Sequence, residues 1–116
     1  MIFNIFVEFE NLEKITAEDV EAYLTDDILS IEEVRYVPGK GWSTDPDGWI
    51  LDLSWRDPGD VNGEYQLSAY FRGDSDIMAT FKSRSCHAVR NAIDLALERM
   101  VASRSVERVS QAFSEL

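Results

Sequence analysis

The chain has 116 residues, 45% of them apolar and 28% charged, the length and composition of one soluble domain rather than a disordered or membrane-embedded chain. Eleven Lys and Arg stand against twenty-two Asp and Glu, a net charge of −11 that disfavours free nucleic acid and anionic lipid as partners and favours a basic protein. The longest apolar runs are three residues, far below the roughly 20 that a membrane helix needs.

The first residues, Met1 to Glu8, lack a basic stretch, a long apolar core and a small-residue cleavage site, so no export signal is expected. The single cysteine, Cys86, has no partner for an internal bridge, which fits a reducing cytoplasm. The expected location is cytoplasmic.

In chain order, Phe3, Ile5, Val7 and Phe9 alternate as in a half-buried strand. A helix is predicted next, with Thr16 as N-cap, acids Glu18 and Asp19 in its first turn, and Ile15 placed to staple onto Val20. Ala17, Val20, Leu24 and Ile28 form its apolar stripe, leaving Glu18 and Glu21, followed by Asp26 and Asp27, toward water. Residues 31–37 predict a strand carrying Val34 and Tyr36, ended by Pro38-Gly39-Lys40-Gly41, although Ser30 and Glu33 also have capping-box spacing.

Trp49, Leu51, Leu53 and Trp55 then share one strand face, and Tyr65, Leu67, Ala69 and Phe71 repeat the pattern beyond a turn-rich stretch, Asp57 to Gly63. Ile77, Ala79 and Phe81 predict a last strand. Short polar turns between these strands imply an antiparallel meander, since parallel neighbours need long crossovers. From Ser85 the period becomes 3.6, with Val89, Ala92, Ile93, Ala96, Leu97 and Met100 on one stripe. A second stripe, Val106, Val109, Phe113 and Leu116, is out of phase with it, so a break is expected between Ala102 and Ser105.

These elements make one α+β domain over residues 1–116, in β-α-β-β-β-β-α-α order. A mostly antiparallel sheet of four to five strands carries helices on one face, and 103–116 forms a separate C-terminal helix. The helix, three strands and alanine-rich helix starting Ser85-Cys86-His87-Ala88-Val89-Arg90-Asn91-Ala92 resemble the order of a double-stranded-RNA-binding domain. In that family lysines opening the last helix meet phosphates. Cys86 and His87 stand in their place here, an extra strand precedes the first helix, and the field is negative, so RNA binding is not implied.

Catalytic motifs fail on spacing. Cys86 and His87 adjoin, but neighbouring side chains on a helix diverge by about 100°, so they make a poor nucleophile and base. One Cys and one His supply half of a zinc site. Asp60-Val61-Asn62-Gly63-Glu64 matches the middle of a calcium loop, yet Pro58 and Ala69 occupy its two end positions. Gly39-Lys40-Gly41-Trp42-Ser43-Thr44 lacks phosphate-loop spacing. No enzyme, metal or cofactor is therefore expected.

Charge is uneven along the chain. Ten acids and one base lie in residues 1–34, eight and four in 35–81, and four and six in 82–116. The expected function is that of an inhibitor or neutraliser of a basic, nucleic-acid-handling protein, the class of immunity proteins against nuclease toxins and of phage proteins that imitate DNA. Glu18, Glu21, Asp26, Asp27, Glu32 and Glu33 would form its acidic face, with Trp42, in a loop bounded by Gly and Pro, as apolar anchor. The alternative is an assembly subunit, such as a homodimer joined through Val106, Val109, Phe113 and Leu116, with acidity serving only solubility.

Overall fold

A computed structural model describes residues 2–3, 28–56 and 62–116. Its centre is the strand with the cleanest alternation, β5 (Trp49–Arg56), where Trp49, Leu51, Leu53 and Trp55 are all buried on one face. Strand β6 (Glu64–Phe71) pairs with it in antiparallel register, Leu53 opposite Leu67 and Trp55 opposite Tyr65. Strand β7 (Asp74–Ser83) continues the meander, Leu67 opposite Phe81 and Ala69 opposite Ala79. On the other flank β2 (Leu29–Glu32) pairs with β5, and β1 (Ile2–Phe3) with β2, giving a five-stranded antiparallel sheet in the order β1-β2-β5-β6-β7.

Among the described residues two helices cover one face of this sheet, as an amphipathic stripe requires. Helix α1 (Cys86–Ser103) is capped by the Ser85 hydroxyl, which accepts from the Ala88 N–H at 3.1 Å, and lays Val89, Ala92, Ala96 and Met100 on the sheet. The chain then turns sharply. Arg104 adopts the left-handed conformation, φ 49°, with its N–H bonded to the Met100 carbonyl, and Ser105 caps α2 (Val106–Ser114) through the Arg108 N–H. The fold is thus α+β with a mainly antiparallel sheet.

The core is aromatic at its heart. Trp55 and Tyr65 meet edge to face at 5.1 Å, and Phe81 packs against Phe113 at 5.7 Å. Each fully buried large side chain contributes about 1.5–3 kcal/mol relative to exposure. Gly63 is required where the chain enters β6, because a Cβ there would lie 2.1 Å from the Arg56 carbonyl oxygen and 2.5 Å from Trp55 Nε1. Arg84 closes the same corner, its guanidinium donating to the Gly63 carbonyl and lying 5.9 Å from the Trp55 ring centre.

Four local expectations are corrected. The strand expected over 31–37 breaks at Glu33, separating β2 from β3 (Val34–Val37). The stretch after it, expected as loop, contains β4 (Gly41–Thr44), which pairs with β3 in a two-stranded sheet of its own. Ile28 ends no helix: it is buried, leads into β2, and donates its N–H to the Leu53 carbonyl at 2.9 Å. Ile77 does not share the buried face of Ala79, because a register shift opposite Ala69 to Phe71 puts extra residues into β7 and leaves it 58% exposed. The helix expected from Thr16 to Thr25, and the strand residues after Phe3, lie outside the described residues.

Candidate functional site

The β3–β4 hairpin forms an arm at one end of the main sheet. Pro38 and Gly39 supply its turn: the Lys40 N–H reaches the Val37 carbonyl at 2.9 Å, and Gly39 sits at φ 84°, the Pro-Gly order of a type II turn. Two-residue periodicity then puts Val34, Tyr36, Trp42 and Thr44 on one face, with Tyr36 directly opposite Trp42. Their rings meet edge to face, centroids 5.6 Å apart, yet Tyr36 is 60% and Trp42 72% exposed. Val34 beside them is exposed as well. This apolar ladder is thus largely open to water.

Glu33 holds the root of this arm. Its backbone N–H donates to the Trp49 carbonyl at 3.0 Å, inside the main sheet, while its carbonyl accepts from Asp45 N–H at 3.1 Å, inside the arm. One carboxylate oxygen accepts from the Trp49 N–H at 3.2 Å, and the other accepts from Arg104 Nη1 at 2.6 Å. Arg104 in turn lies over the Phe71 ring, 5.5 Å from its centre. The bond and charge from Glu33 hold the guanidinium above its ordinary pKa, so it stays a cation. A residue in the left-handed region is thereby fixed where sheet, arm and helix joint converge.

Glu32 is also engaged within the chain, against Arg72 Nη2 at 2.8 Å. Of the six acids expected to face a partner, these two are therefore neutralised locally, and the reason is distance in sequence: their arginines follow β6 and α1. Glu18, Glu21, Asp26 and Asp27 lie outside the described residues. Trp42 is exposed as expected, but on a strand rather than in a loop. Tyr36, its cross-strand partner, was not among the expected contact residues; equal spacing of 36 and 42 about Gly39 is the signal that pairs them.

The stripe expected to join two copies is spent inside the protomer. Val109 and Phe113 are buried in its own core and Val106 packs against it, while Leu116 is 53% exposed. Helix α2 is amphipathic because it lies on β7 and β6 of its own sheet.

Cys86 is buried at the start of α1, and His87 is exposed beside an open groove of about 380 Å³ that Leu29, Arg90 and Asp94 also line. In the stretch with partial calcium-loop spacing, Asn62 is exposed and Gly63 buried, whereas Asp60 and Val61 lie outside the described residues. Among the described residues no three His, Cys, Asp or Glu side chains converge in a way that could hold a metal, and no helix is long and apolar enough to cross a membrane. No protein-family model matches the chain, and neither a curated protein nor a solved structure is significantly similar to it.

Proposed function

We propose that the chain is a non-enzymatic protein-binding domain that neutralises a basic, nucleic-acid-handling partner, with the Tyr36–Trp42 arm as its apolar anchor. The carrying observation is that aromatic pair, exposed on a hairpin whose root is fixed by Glu33, in a chain of net charge −11. Interface anchors are typically Trp and Tyr, and an arm already braced loses little freedom on docking. The acidic field raises the rate of encounter with a cationic surface, while the aromatic contact holds the complex once formed. Glu32 and Glu33 maintain the arm and its surroundings, so steering falls to the other acids, with Glu18, Glu21, Asp26 and Asp27 as the first to examine. In this reading the acidic surface docks on the basic cleft that would otherwise hold nucleic acid, as expected of an immunity-type or phage-encoded inhibitor.

The test is affinity capture of basic proteins from the native host and its antagonists, followed by binding kinetics with the captured partner. Trp42→Ala is expected to weaken the complex by about 2 kcal/mol, or roughly 30-fold in Kd, chiefly through faster dissociation. Reversal of Glu18, Glu21, Asp26 and Asp27 to Lys is expected to slow association and flatten its dependence on salt. An unchanged Kd for both Trp42→Ala and Tyr36→Ala rejects the arm as anchor.

A further inference from the structure

The arm is opposite in charge to the chain that carries it. Residues 34–44 hold Arg35 and Lys40 and no acid, so this hairpin is +2 in a chain of −11 and the remainder is −13. Both cations are exposed, and among the described residues neither takes part in an ion pair. The nearest acids in sequence are occupied at the root: Glu33 binds Arg104, and one Asp45 carboxylate oxygen accepts from the Asp47 N–H at 2.9 Å. Alternation puts Arg35 on the ribbon face opposite Tyr36 and Trp42, across from Ser43, while Lys40 stands at the tip. A surface that covers the aromatic pair from the tip meets Lys40, and one that grips both faces of the arm meets Arg35 as well.

We infer that the arm docks outside the partner's basic cleft, in an apolar pocket of that protein rimmed by carboxylates, an inference that rests on the reading of the arm as anchor. Inside the cleft Arg35 and Lys40 would lie desolvated against the cations that hold nucleic acid, and like charges brought together at an interface are unfavourable. Asp or Glu at a pocket rim instead gives each cation the counter-ion that its own hairpin lacks, while an apolar floor covers Trp42 and Tyr36. The partner then presents two patches of opposite sign, a basic one for the acidic body and an acidic-rimmed one for the arm. A single orientation satisfies both, so the charge of the arm fixes the pose as well as the pocket.

Two short peptides serve as probes, one of leucines flanked by glutamates and one of leucines flanked by lysines, with oligothymidylate as a third. NMR titration of the full chain follows the indole N–H of Trp42. Net charge favours the lysine peptide everywhere else on the surface, whereas the arm is expected to take the glutamate peptide at least roughly fivefold more tightly. Arg35→Glu with Lys40→Glu should reverse that order, and unchanged amide exchange in β5 checks that the variant is folded. A lysine peptide that binds the arm as tightly overturns the inference, as does oligothymidylate binding there more tightly than the glutamate peptide, or a Trp42 signal that answers no probe. On the captured partner the same double reversal should raise Kd at least roughly tenfold. If Kd stays unchanged while Trp42→Ala weakens the complex, the anchor stands and this inference falls; if Trp42→Ala and Tyr36→Ala change nothing either, the anchor fails and takes the inference with it.

Discussion

The β3–β4 arm and the β5–β6–β7 meander are built by the same rules and end with opposite surfaces. Both are antiparallel, both alternate side chains, and both set a tryptophan edge to face against a tyrosine across neighbouring strands, Trp42 with Tyr36 and Trp55 with Tyr65. The rings are 5.6 Å and 5.1 Å apart, so local geometry barely separates the two pairs. What separates them is a covering layer of helices. Trp55 and Tyr65 lie in the core that α1 and α2 complete and are fully buried, whereas Tyr36 and Trp42 remain exposed. A cross-strand aromatic pair alone is worth about 0.2–1 kcal/mol, while burial adds several times that. The same residue pair therefore serves stability in one sheet and leaves an open contact surface on the other.

Substitutions in the two regions sharpen that contrast. The largest effect is expected from Trp55→Ala, about 3–5 kcal/mol lost in urea unfolding, because truncating a fully buried indole leaves a large cavity in the core. Glu33→Ala should cost about 1–3 kcal/mol, since the Trp49 N–H and Arg104 both lose a charged acceptor. It should also raise hydrogen exchange in the arm while leaving the centre of β5 protected; equal loosening of both would show that the arm and sheet are one cooperative unit. Trp42→Ala, the counterpart of the first variant, should cost under about 1 kcal/mol. A loss as large as that of Trp55→Ala would dissolve the distinction.

The smallest effect concerns pH. On the sheet face opposite the helices, burial pushes the Tyr70 phenol above its ordinary value, Asp52 and Glu32 add to the shift, and Arg72 opposes it. The folded chain thus holds this proton more firmly than the unfolded chain. Its contribution is full below the ordinary tyrosine value of about 10 and is lost as pH rises through the folded value. Stability measured across that alkaline range should fall less steeply in Tyr70→Phe than in the unaltered chain. Identical slopes would show that Tyr70 does not couple to folding.

The meander and the helix after it were legible in the sequence because their cores are contiguous stripes: Trp49 to Trp55, Tyr65 to Phe71, and Val89 to Met100. The arm was not. In the sequence Pro38 to Gly41 marks the end of a strand, although a Pro-Gly turn flanked by Tyr36 and Trp42 equally closes a hairpin. Nor could local pattern show that Glu33 would be claimed by Arg104, 71 residues away. Acids counted as an outward field in the sequence turn out, at Glu32 and Glu33, to be structural ties, since ion pairing depends on long-range topology that composition does not record.

Glu33 also has a mechanical role. One side chain grips the first residue of β5 and the hinge between the two helices, while its backbone carries the arm. Removing its carboxylate would therefore free Arg104 at the helix joint while the backbone bonds from Glu33 to Trp49 and Asp45 still tie the arm to the sheet.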